Sequence, residues 1–225
     1  MHFAGDQGAA APTVVVVDSD PEIRGGFVDC LRNQGIAAQT HSTPGEALAN
    51  CTPHMHGCLL TEWRLPGMSG LDLQQSMAEH GCSLPFIVIS REAKPATVVR
   101  AMQHGALDFF QKPCCHMQLL DSVDKAIKQD AQERRLRAMQ EQVRQRLRLL
   151  TPREREVLFL VVEGRLTKQI SRRLGISHKT VEVHRSNITR KMQADSVSQL
   201  LLMLTRCSIP EFVVELNETG DFVFA

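Results

Sequence analysis

Residues 58–73 read CLLTEWRLPGMSGLDL. Cys58 to Glu62 is a short apolar run closed by a carboxylate, RLPGMSG is a Gly- and Pro-rich loop, and from about Leu71 to Glu79 the apolar spacing turns helical. A strand that passes through a loop into a helix is one unit of a pattern repeated on both sides. Upstream, Thr13 to Asp18 (TVVVVD) is a buried-strand run, and Pro21 to Asn33 is helical, with Asp20 as N-cap and Pro21 at the first helical position. Ala37 to His41 is the next candidate strand and Pro44 to Asn50 the next helix. Downstream come the strand Phe86 to Ser90 (FIVIS), the helix Pro95 to His104, and a short strand from Phe109 to Gln111 that ends at Lys112-Pro113. Five such units in about 110 residues predict an α/β doubly wound fold, a five-stranded parallel sheet with helices on both faces.

Beyond this region the pattern changes. Gln118 to about Leu149 is one long polar helix without an internal Gly or Pro. Its apolar face, Leu119, Leu120, Val123, Ala126 and Ile127, narrows to Leu136, Met139, Val143, Leu147 and Leu150, the spacing of a docking helix running out into a coiled-coil linker, with a solvated linker without a dimer seam as the alternative. Thr151 to Arg206 is all-helical. Thr151, Pro152 and Glu154 form a capping box for a helix to about Glu163, Thr167 caps Lys168 to Leu174, and Gly175-Ile176 makes a turn. Ser177 then caps His178 to Met192, and a last helix runs from about Ser196 to Arg206. A tight Gly-containing turn between two helices is a helix-turn-helix signature. Phe212 to Leu216 and Asp221 to Phe224 flank Asn217 to Gly220 as a candidate β-hairpin, with a disordered tail as the equal alternative.

The 225 residues, with 43% apolar and 23% charged side chains, exclude a small stapled scaffold, a fibrous repeat and wholesale disorder. No apolar run reaches the roughly 18 to 20 residues of a membrane span, and no secretory signal opens the sequence, so a soluble cytoplasmic protein with no membrane partner is expected. The seven cysteines, odd in number and irregular in spacing, read as reduced thiols. The net charge of +1 conceals an asymmetry. Residues 1–120 carry seven Lys/Arg against eleven Asp/Glu, and residues 121–207 carry nineteen against ten. An acidic half joined to a basic half suggests a sensing module attached to a polyanion-binding one.

In an open α/β sheet, ligands bind beyond the carboxyl ends of the strands at the topological switch point. Those ends carry Asp18 and Ser19, Glu62, Ser90 and Lys112, after otherwise apolar strands. Acid, hydroxyl and ammonium converging from four exits point to a site.

With these residues in view, Thr13 to about Lys128 resembles a response-regulator receiver domain, most specifically in RLPGMSGLDL and Lys112-Pro113. Thr151 to Arg206, with TPREREVL and TVEVHRSNITRKM, resembles the LuxR-type helix-turn-helix of the FixJ/NarL subfamily of two-component regulators. The resemblance implies a domain order of flexible N-terminus (1–12), receiver (13–128), helical linker (129–150), helix-turn-helix domain (151–207) and tail (208–225). In such receivers an aspartate ending the third strand accepts a phosphoryl group from a histidine kinase. Two acids after the first strand help hold Mg²⁺, a Ser/Thr and a Lys bind phosphoryl oxygens, and an aromatic residue reports the switch. By position these become Glu62, Asp18 and Ser19, Ser90, Lys112 and Phe109, with a cis Lys112-Pro113 peptide implied.

The chain departs from that pattern twice, with Glu62 in place of Asp and Ser19 in place of the second acid. An added methylene moves the carboxylate forward by about one C–C bond, ~1.5 Å. Mg²⁺ demands near-octahedral oxygen geometry, so its binding at Asp18 and Glu62 should be weak, phosphorylation by a histidine kinase slow or absent, and no resident cofactor is expected. Asp20, read here as a helix N-cap, is the alternative metal ligand. Glu62 either imitates part of the charge of a phosphoaspartate or leaves the receiver an inert dimerisation scaffold.

On the candidate recognition helix, Val181, Ile188 and Met192 turn inward. By the family pattern Glu182, Val183 and Ser186 read base edges, and Lys179, Thr180, His184, Arg185 and Arg190, with Lys168 from the preceding helix, contact phosphates of double-stranded DNA. Cys51, His54, His56 and Cys58 are of zinc-ligand type but lack the spacing of a zinc module, and Cys114-Cys115 has only Lys112 nearby to lower a thiol pKa. No catalytic constellation stands outside the receiver cluster, so a homodimeric DNA-binding transcription regulator rather than an enzyme is expected. The alternative is a non-DNA antagonist that pairs with a conventional regulator through its receiver.

Overall fold

The computed structural model describes residues 11–207 and two short strands beyond them, and the chain divides into two compact units, Met1–Glu133 and Arg134–Ala225. The first unit contains β1 (Thr13–Val17), α1 (Pro21–Arg32), β2 (Ala37–His41), α2 (Pro44–Ala49), β3 (Gly57–Glu62), the two-residue strands β4 (Arg64–Leu65) and β5 (Met68–Ser69), α3 (Gly70–Glu79), β6 (Phe86–Ser90), α4 (Pro95–Gln103) and β7 (Asp108–Gln111). Helix α5 (His116–Arg148) begins there and ends in the second unit.

The five long strands are all parallel, in the order β2-β1-β3-β6-β7. The period of two in a strand sorts their side chains onto two faces. Val15, Val17, Leu59 and Val88 pack with Ala47 of α2, Leu73 and Met77 of α3 and Ala101 of α4. Val14, Val16, Leu60, Ile87 and Ile89 pack with Phe27 and Leu31 of α1 and Leu119, Val123 and Ala126 of α5. Both faces are thus covered, which is why the runs 14–17, 58–60 and 86–89 within β1, β3 and β6 are continuously apolar rather than alternating.

Local signals place the helix starts. Asp20 accepts the backbone N–H groups of Glu22 (3.0 Å) and Ile23 (3.4 Å), and Ser69 with Asp72 forms a reciprocal capping box on α3. Gly70 lets the loop fold back over the end of β3. A Cβ there would stand 2.5 Å from the Glu62 carbonyl oxygen and 2.8 Å from Thr61 Cγ2, so only glycine fits.

The second unit holds the end of α5 with α6 (Pro152–Val162), α7 (Thr167–Leu174), α8 (His178–Met192) and α9 (Val197–Arg206). Its core joins Val157, Leu158, Ile170, Val181, Ile188, Met192, Leu200 and Leu204. Gly175 adopts the left-handed conformation (φ 65°) that turns α7 into α8. Thr151 and Ser177 cap α6 and α8 as expected, with Oγ accepting from Glu154 and Thr180 backbone N–H groups.

Two sequence expectations are corrected here. Val143 and Leu150 are buried in this core and Leu147 packs against it, so these three belong to the helical domain rather than to a coiled-coil seam. Leu136 and Met139, one turn earlier, are exposed at 44% and 45%. Thr167 is not the cap of α7. The N-cap is Leu166, whose backbone N–H is taken by Gln169 (2.9 Å), and the Thr167 hydroxyl is used elsewhere. Beyond Cys207, β8 (Val214–Leu216) and β9 (Phe222–Phe224) pair antiparallel, as the hairpin reading anticipated. The remainder of that tail and residues 1–10, read from sequence as a flexible start, lie outside the described residues.

Candidate functional site

Because β1 sits between β2 and β3 while the chain crosses from one side to the other, a crevice opens at the carboxyl ends of β1 and β3. A cleft of about 230 Å³ lies there, lined by Asp18, Ser19, Glu62, Ser90 and the only tryptophan, Trp63. The strand register delivers these groups. Glu62 is the last residue of β3, Ser90 the last of β6, Asp18 follows β1, and Lys112 follows β7 with its N–H on the Ser90 carbonyl (2.8 Å).

The chemistry centres on Lys112. Its ammonium donates to both Asp18 Oδ2 and Glu62 Oε2, and the three side chains are only 6%, 4% and 10% exposed. The other oxygen of each carboxylate is also engaged: Asp18 Oδ1 accepts from the Asp20 N–H (2.9 Å), and Glu62 Oε1 from the Trp63 N–H (3.1 Å). Two anions and one cation thus form a buried cluster of formal charge −1, stabilised by charge-assisted hydrogen bonds.

Ser90 is buried, and its Oγ accepts from the Glu92 N–H (3.3 Å). Among the described residues no hydrogen bond joins it to Glu62. Glu62 thus meets Lys112 and not Ser90, because its carboxylate bends toward the ammonium and its own following amide. Ser19 is exposed at the cleft. Phe109 is half-buried on β7, opposite Val88 in the sheet, and packs against the hydrophobic core between the sheet and α3 and α4. Lys112-Pro113 is cis.

Two arginines at the site, Arg91 in the cleft lining and Arg24 on the Asp18 backbone, were not singled out from sequence. Arg24 donates to the Asp18 carbonyl (2.5 Å), and Arg91 pairs with Asp20 (2.5 Å). The backbone N–H of Ile23 above all, then that of Glu22 and the charge of Arg91, hold the Asp20 carboxyl below its ordinary pKa. Position just after a polar strand exit was the one signal that could have found Arg91.

This donor set does not fit Mg²⁺. The ion takes about six oxygens at 2.0–2.1 Å, whereas here one protein cation already bridges the two carboxylates, the third position offers the neutral hydroxyl of Ser19, and the nearby Asp20 carboxylate is engaged by the cap of α1 and by Arg91. Among the described residues no three His, Cys, Asp or Glu side chains are grouped to hold a metal ion, Cys51, His54, His56 and Cys58 included. Burial pushes the Cys58 thiol up to about 12, which suits a strand packed inside the sheet. It also raises that of Cys114.

In the second unit, α8 presents Lys179, Glu182, Val183, Ser186 and Arg190 as exposed residues, one stripe at helical spacing, while Val181, Ile188 and Met192 are buried. Lys168 is exposed near the start of α7, and Thr180, His184 and Arg185 are half-buried. His184 Nδ1 is buried without a hydrogen-bond partner. Thr167 reaches across from α7: its hydroxyl donates to Glu182 Oε1 (2.7 Å) and accepts from Arg185 Nη1 (3.3 Å). Beneath this face, Lys191 binds the buried Glu154 (2.7 Å) and the Leu149 carbonyl (3.1 Å), tying the end of α8 to the start of α6.

Comparison with known proteins agrees with both units. Residues 14–124 match the response regulator receiver domain family, and residues 148–204 match the bacterial regulatory proteins of the luxR family. Nodulation protein W of Bradyrhizobium diazoefficiens is 33% identical over 84% of each chain. The transcriptional regulatory protein FixJ of Azorhizobium caulinodans is 34% identical over 84% of this chain and 90% of its own. Among solved structures, the response regulator StyR is 36% identical, with a TM-score of 0.77 over 88% of this chain and all of that one. Full-length FixJ from B. japonicum is 29% identical, with a TM-score of 0.52 over 88% and 98%. With a receiver matched ahead of a LuxR-type domain, and relatives that run the length of both, the chain belongs to the FixJ/NarL-type response regulators, DNA-binding transcription factors.

Proposed function

We propose that this protein is a sequence-specific transcription regulator that works as a homodimer and does not depend on phosphorylation. The observation that carries this reading is the ammonium of Lys112 held between Asp18 and Glu62. Glu62 stands at the phosphoacceptor position, and its carboxylate supplies Lys112 with a permanent anion, one charge and two oxygens where a phosphoryl group brings nearly two charges and three oxygens. In-line phosphoryl transfer depends on positioning and metal electrostatics. A cluster whose carboxylate oxygens are already engaged, beside a Ser19 that offers only a neutral hydroxyl, opposes both.

The second unit then reads DNA through the exposed stripe of α8. Glu182, Val183 and Ser186 contact base edges, and Lys179, Thr180, His184, Arg185, Arg190 and Lys168 contact phosphates. A two-fold dimer matches two half-sites one helical turn apart.

The test is full-length dimerisation by sedimentation and DNA affinity by anisotropy, each with and without Mg²⁺ and beryllofluoride, with Trp63 fluorescence reporting the cleft. The unmodified protein should already dimerise and bind, with little added by beryllofluoride. Glu62→Gln should weaken both, and Ser19→Asp with Glu62→Asp should bring back dependence on the phosphoryl mimic. A clear rise in the wild type overturns independence from phosphorylation, and equal binding by Glu62→Gln decides for an inert scaffold.

A further inference from the structure

Thr167 is the first residue of α7, yet both of its hydroxyl contacts are to side chains of α8. A hydroxyl has one proton to donate and two lone pairs to accept with. Here the proton is committed to Glu182 Oε1 at 2.7 Å, and the oxygen accepts from Arg185 Nη1 at 3.3 Å. The result is a directed chain, Arg185 to Thr167 to Glu182, between the two helices of the helix-turn-helix.

Glu182 is exposed in the middle of the stripe formed with Lys179, Val183 and Ser186. An unrestrained carboxylate there would sample several rotamers and repel phosphates. Tied through Oε1, it keeps one orientation, and Oε2 remains free of any hydrogen bond with described residues. An ionised carboxylate is an acceptor only, so in the major groove it matches the exocyclic amino group of cytosine and opposes the acceptor pair of guanine. Arg185, held from the other side, brings a compensating positive charge within one turn.

We propose that Thr167 is a specificity-determining positioning residue: from the scaffold helix it fixes the Glu182 carboxylate as the acceptor for a cytosine amino group at one base pair of each half-site. This rests on the DNA-reading role given above to α8.

The experiment begins with selection of preferred duplexes from a randomised pool by the full-length wild type, followed by anisotropy titrations on the preferred site and on each of its single-base variants. Thr167→Val keeps the shape and removes the hydroxyl. It should lower discrimination at one base pair by about tenfold, the weaker end of what a base contact supplies, while leaving the other positions and the salt dependence unchanged. Thr167→Ser should restore the discrimination. Glu182→Gln, which adds a donor, should move the preference at that same base pair away from cytosine and toward adenine. Thermal melts confirm folding, and if Thr167→Val does not fold, Thr167→Ala combined with Glu182→Gln gives the coupling between the two positions. The inference is overturned if Thr167→Val retains the wild-type preference, if every base pair is affected alike, or if the Glu182 and Thr167 effects fall on different base pairs. A wild type without any sequence preference overturns the reading of α8 itself, and this inference with it.

Discussion

The ammonium of Lys112 is the residue on which the first unit turns, because removing it leaves two buried carboxylates facing one another. Breaking a buried ion pair from one side costs about 3–5 kcal/mol, so Lys112→Met should destabilise the first unit by roughly that amount in urea unfolding followed at Trp63. Glu62→Gln added to Lys112→Met should recover much of the loss, since it takes away one of the two stranded charges. A Lys112→Met protein as stable as the wild type would show that water already screens the cluster. The sequence put these three residues at strand exits. It left their pairing open, because Lys112 lies 94 residues from Asp18 and 50 from Glu62.

At the scale of elements, the end of α5 is the first helix of the second unit's core. Val143 is 1% exposed within that core. Val143→Ala should therefore cost the second unit about 2 kcal/mol, as for other large-to-small core changes, seen in the thermal melt by circular dichroism. A residue of a dimer seam would instead change sedimentation of the proposed dimer and leave the melt unmoved. The joint between α6 and α8 adds a pH dependence. Burial works to raise the Glu154 pKa, but the hydrogen bonds from Lys191 and Thr151 outweigh it and hold the carboxyl below its ordinary 4.5. A depressed carboxylate gives stability that is complete above its unfolded pKa and is lost as pH falls through the folded one. Glu154→Gln should be less stable than the wild type by about 1–2 kcal/mol at pH 7. That gap should close as urea unfolding is repeated below pH 4.5, and a gap independent of pH would rule out the Lys191 contact as its source.

For the whole molecule, the sign of charge divides the labour: seven Lys/Arg against eleven Asp/Glu in residues 1–120, nineteen against ten in residues 121–207. DNA binding by the basic part releases counterions, so the logarithm of affinity should fall with the logarithm of salt by about 0.9 per neutralised phosphate. Lys179→Ala should weaken binding to all sequences and lower that slope by about 1. Val183→Ala should leave the slope and alter which sequence is preferred. The reverse pattern would exchange the roles of these two residues on α8.

The parallel sheet, its helices and the capping residues Asp20, Thr151 and Ser177 were legible in the sequence, because each depends on neighbours within two to four positions: period two, period 3.6, or an oxygen three residues from an N–H. The polar strand exits were legible for the same reason, since a charged group ending a buried run stands out locally. What the tertiary structure alone decided is partnership over long separations. It set Glu62 against Lys112 and not Ser90, and turned Val143 into a helical core. It also took Thr167 from the expected cap to Glu182 and Arg185 on the next helix. A carboxylate, a valine or a hydroxyl has the same local pattern whichever partner it takes, and only the packing of distant elements brings one partner within bonding distance.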